Sequence, residues 1–342
     1  MKVGLVGLGK MGILHAAILN TFKEVEICSV AEKENLLIKY IQSALPNLRL
    51  YQDYEQMLKS EEPDLLYITT PVSSHLPVIL SSIKNGVGFF VEKPLSKNLL
   101  QAKKIVDELK KSNVFNAVGY VFRFVETFSK AKSFLDERIL GDITNVKASM
   151  YVANIFSKPS GWRFKKKESE GGVLLDLGCH LIDLLLWYFG PIAKVSGQTR
   201  SVYSELDDFA NAKLEFKNKI TGELDTSWSK KGYRIPEINL DITGTSGNLK
   251  VNQDFIEIKL DKKIPQFEDT ESKIFKQSLE KGVFFDVGGP EFTKEDSHIV
   301  EAFSKKRQPL IDVFEAYETQ SVIEAIYDSA KKNRMIKVEY LG

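Results

Sequence analysis

The stretch that decides the fold is VGLVGLGKMG, at residues 3–12. An apolar run leads into Gly7, Gly9 and Gly12, which have the G-x-G-x-x-G spacing found between a strand and a helix. In that setting the first glycine makes the turn, the second lets a pyrophosphate reach the backbone, and the third lets helix and strand approach closely. The N–H groups at the helix start favour phosphate. The predicted phosphate-binding residues are Gly7, Gly9, Lys10, Met11 and Gly12.

Short apolar runs alternate with helical stretches through the first 122 residues. Continuous Val, Ile, Leu and Phe runs are typical of parallel strands that are covered on both faces by helices. The predicted strands lie at 2–6, 26–30, 65–69, 89–92 and 117–120, with helices at about 13–22, 36–45, 75–84 and 99–111. This order predicts an N-terminal Rossmann domain, a doubly wound parallel sheet, over residues 1–122.

The pattern changes in the remainder, which we assign to a C-terminal α+β domain at 123–342. Ile238, Leu240 and Ile242 would share one face of a strand while Asn239 and Asp241 share the other, as in an open, mostly antiparallel sheet. GTSGN at 244–248 predicts a turn between two such strands. An open sheet has a second face to cover, so we expect a homo-oligomer, a dimer or tetramer, formed through it. The final helix, at about 313–332, is expected to pack back on the first domain.

Composition narrows the possible partners. The 342 residues carry 47 Lys and Arg against 46 Asp and Glu, a net charge of +1, which argues against nucleic acid. The most apolar stretch, 173–189, is interrupted by ionisable residues and predicts no membrane span. Two cysteines cannot form a disulfide framework, which fits a reducing compartment, and the first residues already form a strand rather than a signal peptide. We expect a cytoplasmic protein. Cys179 has no ligand pair with zinc spacing, so no metal is expected.

Glu32 follows the second predicted strand, 20 residues after Gly12. An acidic side chain there accepts hydrogen bonds from the adenosine ribose and repels a 2′-phosphate, which favours NAD. Lys33 could accept that phosphate, so NADP stays possible. The alternative is that Glu32 is a solvated acid at the start of a turn.

Three further motifs accompany the glycine spacing: TTPVSSH at 69–75, EKP at 92–94 and GGVLLDLGCHLID at 171–183. Together, over residues 3–330, they resemble the Gfo/Idh/MocA oxidoreductases, which include inositol dehydrogenases and glucose–fructose oxidoreductase. The resemblance implies an NAD(P)-dependent enzyme that acts on a hydroxyl of a sugar, cyclitol or sugar derivative. It implies a catalytic group of Lys93, Asp176 and His180. It places Thr70, Pro71, His75 and Glu92 on the cofactor side, and Arg123, Trp162, Arg163 and Asp183 on the substrate side.

The residue chemistry supports the same function. Lys93 follows a predicted parallel strand, and ligands of such sheets bind beyond the carboxyl ends of the strands. Asp176, His180 and Asp183, at i, i+4 and i+7, would share one stripe of an apolar helix. We expect His180 to carry the hydroxyl proton and Lys93 to stabilise the alkoxide on the same oxygen. Asp176 would orient the substrate or the imidazole, and Asp183 would fix the tautomer. A hydrogen-bonded Asp–His–Asp cluster without a ligand is the structural alternative.

Two other interpretations are open. A relative of the same fold could bind dinucleotide as a non-catalytic sensor, although a sensor has no need of Lys93, Asp176 and His180. The other interpretation is a reductase that acts on an imine or a conjugated substrate, although a polar His/Asp cluster suits hydroxylated substrates better.

Within the resemblance, His180 stands where glucose–fructose oxidoreductase has tyrosine, which favours a freely exchanging cofactor. Arg163 could clamp an anion or form a salt bridge, and His15 is expected to be a packing or phosphate-side residue.

Overall fold

The structure, a computed structural model, describes residues 1–44, 47–159, 161 and 164–341. The chain divides into two compact units. The first comprises Met1–Val121 and Gly282–Tyr317, and the second Phe122–Lys281 and Glu318–Gly342. The chain first passes from one unit to the other between Val121 and Phe122, which agrees with the predicted domain boundary at residue 122. The segment Gly282–Tyr317, which the sequence assigned to the second domain, groups with the first instead.

The sheet of the first unit is parallel throughout its described part, in the order β3-β2-β1-β4-β5-β6. This confirms the doubly wound Rossmann prediction. The sequence missed β3 because it is a three-residue edge strand with no apolar run. The strands are β1 (Lys2–Val6), β2 (Glu26–Ala31), β3 (Arg49–Tyr51), β4 (Leu65–Ile68), β5 (Gly88–Glu92) and β6 (Asn116–Gly119).

Two helices of the first unit, α3 (Tyr54–Glu61) and α5 (Leu99–Leu109), begin at residues whose side chains accept from a free N–H group of the first turn. Asp53 caps α3 by accepting from Glu55 N at 2.9 Å, and Asn98 caps α5 by accepting from Gln101 N at 3.0 Å. The helices are α1 (Lys10–Leu19), α2 (Asn35–Ala44), α3 (Tyr54–Glu61), α4 (His75–Lys84) and α5 (Leu99–Leu109), and later in the chain α10 (Pro290–Ser304).

Helix α10 explains why the late segment joins the first unit. Its Ile299 and Val300 are 3% and 2% exposed and belong to the core that contains Leu5, Leu19 and Phe90. The apolar stripe of α10 therefore completes the cover of a sheet whose strands lie near the other end of the sequence. The final helix, α11 (Val313–Lys332), groups with the first unit only as far as Tyr317.

The sheet of the second unit has the order β14-β13-β12-β11-β7-β10-β9-β8-β15 in its described part. Among the described strands only the β7–β10 pairing is parallel, so the predicted mostly antiparallel sheet is confirmed. Ile238, Leu240 and Ile242 are buried, and the predicted turn joins β11 to β12. The strands are β7 (Ile143–Tyr151), β8 (Ile192–Arg200), β9 (Phe209–Phe216), β10 (Thr221–Ser227), β11 (Glu237–Gly244), β12 (Gly247–Asn252), β13 (Phe255–Leu260), β14 (Glu271–Phe275) and β15 (Ile336–Lys337).

The central helix of the second unit, α8 (Cys179–Phe189), is buried on nearly all sides and packs on β7. A wider π-helical turn at Leu174–Gly178 precedes it. By length and composition the helical run Lys166–Phe189 could cross a membrane, but 83% of its apolar window is buried inside the protein, as in a core helix. The other helices are α6 (Glu126–Asp136), α7 (Lys166–Ser169) and α9 (Lys276–Leu279).

We expect Ile299→Ala to lower the free energy of unfolding by about 2–5 kcal/mol, because it leaves a cavity between α10 and the sheet. Urea denaturation measures the change, with Ile235→Ala as the control, since Ile235 is 73% exposed. Equal, small effects of the two substitutions would show that α10 is not part of this core.

Candidate functional site

The glycine turn has the geometry that its spacing predicts. Gly7 has φ +91°, and a Cβ there would lie 2.9 Å from Thr70 Cγ2. A Cβ on Gly12 would lie 2.2 Å from Gly7 O, so only glycine allows α1 to begin this close to β1. A Cβ on Gly9 would meet no described atom within 4 Å. Gly9 is the N-cap of α1, so its bare backbone and the first helical N–H groups form an approach for phosphate.

Glu32 is tied to this turn. Its Oε2 accepts a hydrogen bond from Leu8 N at 2.6 Å, and its Oε1 accepts from Lys33 N at 2.7 Å and Glu34 N at 3.0 Å. The carboxylate therefore lies beside the glycine turn at the end of β2. This is the place at which an acidic side chain meets an adenosine ribose.

The turn after β4 contributes a buried polar group, the hydroxyl of Thr70. The Thr70 hydroxyl is buried and makes no hydrogen bond to any described residue. Because a buried hydroxyl without a partner is costly, this oxygen suits a ligand. Pro71 is exposed at the start of the following 3-10 turn, Val72–Ser74.

His75 follows the same turn, and both of its ring nitrogens face backbone carbonyls. It is 1% exposed, with Nδ1 3.0 Å from Pro94 O and Nε2 3.0 Å from Thr70 O. Burial lowers the pKa of His75, and a neutral ring donates to one of these two carbonyls. His75 therefore bridges the turns after β4 and β5, and its assignment to the cofactor side stays a prediction.

Glu92 likewise contacts protein. Its Oε1 lies 3.0 Å from His15 Nε2, and its Oε2 accepts from Lys93 N at 3.2 Å. Lys93, the predicted alkoxide stabiliser, follows β5 in the first unit and is half-buried. His15, expected to be a packing or phosphate-side residue, is fully buried and also contacts Asp296.

The second unit carries Asp176 and His180. Asp176 lies in the π-helical turn, half-buried, and its Oδ2 accepts from Trp228 Nε1 at 3.2 Å. His180, 6% exposed, lies edge-on to the Phe122 ring at 4.7 Å between centroids. The prediction that Asp176, His180 and Asp183 share one stripe assumed a regular α-helix. The wider π turn changes the direction of Asp176 relative to His180, and such turns are frequent at functional sites.

Asp183 and Arg123 pair with each other. Arg123 donates to Asp183 through Nε at 3.0 Å and Nη2 at 2.7 Å, and the two residues are 4% and 1% exposed. The sequence analysis assigned both residues to the substrate and expected Asp183 to fix the tautomer of His180. The structure shows instead a buried bidentate ion pair that anchors α8. Trp162 and Arg163, also assigned to the substrate, lie outside the described residues.

Asp207, which the sequence analysis missed, holds the start of this helical region. Its Oδ1 accepts from Gly172 N and its Oδ2 from Leu174 N, both at 2.9 Å, and Tyr327 donates to Oδ1 at 2.9 Å. Its own carbonyl accepts from Val173 N at 2.7 Å. A Cβ on Gly172 would lie 2.1 Å from Asp207 O, which explains a glycine at this position. The only sequence signal was an acidic pair before a strand.

Two family models match this chain. The model described as "Oxidoreductase family, NAD-binding Rossmann fold" matches residues 1–120, and the "GFO/IDH/MocA C-terminal domain" matches residues 128–250. The chain belongs to the GFO/IDH/MocA family. The predicted family and fold class are thereby confirmed.

Individual relatives are distant. A trans-1,2-dihydrobenzene-1,2-diol dehydrogenase of Xenopus laevis is 25% identical over 64% of this chain, a match that spans 66% of that enzyme, just under two thirds. A myo-inositol 2-dehydrogenase of Thermotoga maritima is 23% identical over 73% of this chain and 74% of its own. Among solved structures, a levoglucosan dehydrogenase in complex with NADH and L-sorbose aligns with a TM-score of 0.89 at 19% identity. That alignment covers 100% of this chain and 99% of the other, and shows the common fold.

The first unit fits a dinucleotide. Gly9 would leave room for the pyrophosphate, Glu32 would meet the adenosine ribose, and the buried Thr70 hydroxyl offers a free hydrogen-bonding group. These features agree with the NAD-binding description of the family model.

We expect Asp207→Asn to change how the free energy of unfolding depends on pH. Burial raises the pKa of Asp207 to about 6, so the folded protein retains this proton where the unfolded chain has released it. The stabilising contribution of this proton is complete below about pH 4. It is lost as pH rises through about 6, by up to ~3 kcal/mol.

Asparagine does not titrate, so the variant's stability minus the parent's should increase from about pH 4 to about pH 6 and then level off. Urea unfolding over a pH series measures this difference, with Asp261→Asn at an exposed site as the control. A difference that is constant with pH would contradict the assignment.

Proposed function

We propose that this protein is an NAD-dependent dehydrogenase that transfers a hydride between nicotinamide and a hydroxyl-bearing carbon of a sugar, cyclitol or sugar derivative. The observation that carries the proposal is that a chain with both family domains keeps three reactive groups at its motif positions. These are an ammonium after β5, Lys93, and a carboxylate and an imidazole at the start of the central helix, Asp176 and His180.

The chemistry of alcohol oxidation accounts for these groups. Converting CH–OH to C=O releases one hydride and one proton. NAD, when bound, supplies the hydride acceptor. His180 receives the hydroxyl proton, since an imidazole can hold a proton near neutral pH. Lys93 donates a hydrogen bond to the same oxygen and stabilises its developing negative charge.

Asp176 orients the reacting groups. Its contact with Trp228 Nε1 holds one carboxylate oxygen in place, and the π turn sets the direction of the side chain. Arg123 and Asp183 act one step further away, by anchoring the helix that carries His180.

The substrate class rests on relatives whose printed names describe hydroxylated substrates. They are named as dehydrogenases of myo-inositol and of a dihydrobenzene diol. A polar, ionisable site is suited to hydroxyl groups, which supports a sugar or polyol rather than an imine.

We predict that His180→Ala and Lys93→Ala each reduce kcat by at least ~10²-fold, with the NAD dissociation constant nearly unchanged. NADH absorbance with a panel of polyols, sugars and nucleotide sugars measures turnover. His298→Gln and Lys103→Ala are matched controls, the latter at an exposed lysine of α5.

Turnover near that of the parent in both variants would remove this mechanism. If the parent itself turns over none of the panel and binds NADH tightly, the sensor interpretation is favoured instead.

The preference for NAD is also a proposal, and it depends on Glu32. We expect Glu32→Ala to raise KM for NAD by about tenfold and to lower the ratio of NAD to NADP efficiency, because the carboxylate no longer accepts from the ribose or repels a phosphate. Steady-state kinetics with both cofactors measures this. A parent enzyme with a lower KM for NADP than for NAD would show that Glu32 does not select the cofactor.

Assembly and location stay predictions. The outer face of the second sheet carries paired charges, such as Lys194 with Glu215 at 3.5 Å and Lys273 with Glu257 at 3.9 Å. A homo-oligomer formed through this face would have a polar interface. The cytoplasmic location rests on the sequence argument alone.

A further inference from the structure

The first unit contains a buried ionic cluster that the proposed chemistry does not use. His15, on α1, is 0% exposed. Its Nδ1 lies 2.9 and 3.0 Å from the two carboxylate oxygens of Asp296, and its Nε2 lies 3.0 Å from Glu92 Oε1. Asp296 is 0% exposed and Glu92 9%. One imidazole therefore lies between two carboxylates, with little access of water.

When both carboxylates are ionised, this geometry requires a proton on both ring nitrogens. A neutral imidazole has one N–H donor, and its other nitrogen would turn a lone pair toward a carboxylate oxygen. Only the imidazolium can donate in both directions. Burial lowers the pKa of His15, but the charge and hydrogen bonds of Asp296 and Glu92 more than offset this, so the pKa lies well above its usual value.

Among the residues that the structure describes, the two carboxylates are the polar partners of the ring. Aromatic rings enclose His15, with Tyr67 at 5.6 Å, Phe90 at 5.1 Å and Phe292 at 6.2 Å between ring centroids. Burial raises the pKa of Tyr67, and the charges of Asp296 and of its neighbour Glu295 raise it further, so this phenol stays neutral. Across the described ranges no His, Cys, Asp and Glu group has the arrangement of a metal site.

The cluster joins three elements that are far apart in sequence. Asp296 belongs to α10, His15 to the helix that follows the glycine turn, and Glu92 to the end of β5. The second oxygen of Glu92 accepts from Lys93 N at 3.2 Å. A continuous chain of hydrogen bonds therefore runs from α10 through α1 to the backbone of Lys93.

We propose that His15 is a positioning residue: its imidazolium joins Asp296 to Glu92 and so holds the Lys93 backbone in register with the helix of the glycine turn. This inference rests on the proposed function for its catalytic consequence, since Lys93 is assigned there to the alkoxide. The ionic state of His15 stands independently of that assignment.

His75 provides an internal comparison. It is equally buried, but its two nitrogens face backbone carbonyls instead of carboxylates. Carbonyls offer no full negative charge to hold a proton, and burial lowers its pKa. At pH 8 we therefore expect His15 to be doubly protonated and His75 to be neutral.

The first arm of the test is nitrogen NMR of the protein labelled with ¹⁵N-histidine, at pH 8. The chain has four histidines. We expect one of them to show a directly bonded proton on both ring nitrogens, and this signal to disappear in His15→Gln and persist in His75→Gln. A spectrum in which the His15 ring carries one proton at pH 8 would overturn the proposal, whether or not a substrate is known.

The second arm is kinetic. We expect His15→Gln and Glu92→Gln each to lower kcat by about 10- to 100-fold, with KM for NAD changed by less than about threefold, because Lys93 is misplaced while the glycine turn is intact. Glu92→Gln keeps the His15–Asp296 pair, so it remains informative if His15→Gln does not fold. The control is His298→Gln, on α10, whose ring accepts from Leu310 N.

The outcomes separate the two hypotheses. Unchanged kcat in both cluster variants, while Lys93→Ala is inactive, would overturn the positioning role and leave the proposed function intact. A doubly protonated His15 together with full activity of Lys93→Ala would instead remove the proposed role of Lys93. A double variant, His15→Gln with Asp296→Asn, should lose less than the sum of its single changes, because the two residues form one ion pair.

Discussion

The close approach of α1 to the end of β1 is the constraint on which the first unit depends. Gly12 lies so near Gly7 that a methyl group between them would overlap a backbone oxygen. This contact directs the first N–H groups of α1 toward the turn, and it also places His15, one helical turn later, beneath the sheet. The phosphate approach and the buried imidazole are thus two consequences of one backbone contact.

In both units, buried charged side chains hold turns and helix starts in position. The His15 cluster connects α1, β5 and α10, and the Arg123–Asp183 pair anchors α8. Asp207 holds three successive N–H groups at the start of the helical region that carries Asp176 and His180. Hydrophobic replacements of buried ion pairs are often at least as stable, so stability alone does not account for such pairs. In this protein each one lies next to a residue that the proposed reaction needs.

The sequence predicted most of what is local. The glycine turn, the alternation of Ile238, Leu240 and Ile242, and the turn before β12 all follow from neighbouring residues and were confirmed. The sequence did not predict the π turn at Leu174–Gly178. Such a turn depends on how its N–H groups are satisfied by distant groups such as Asp207. The sequence also placed Asp183 toward the substrate, although Asp183 pairs with Arg123, 60 residues earlier in the chain.

The order of apolar, glycine and acidic residues along the chain was enough to determine a dinucleotide-binding sheet followed by an open antiparallel one, since these signals act over a few residues. Only the tertiary structure decided that Gly282–Tyr317 returns to the first unit and that Asp296 lies against His15, 281 residues earlier. Such pairings depend on which distant surfaces bury each other. The protonation of a buried ring depends on the charges that this burial brings to it, and no local pattern in the sequence records them.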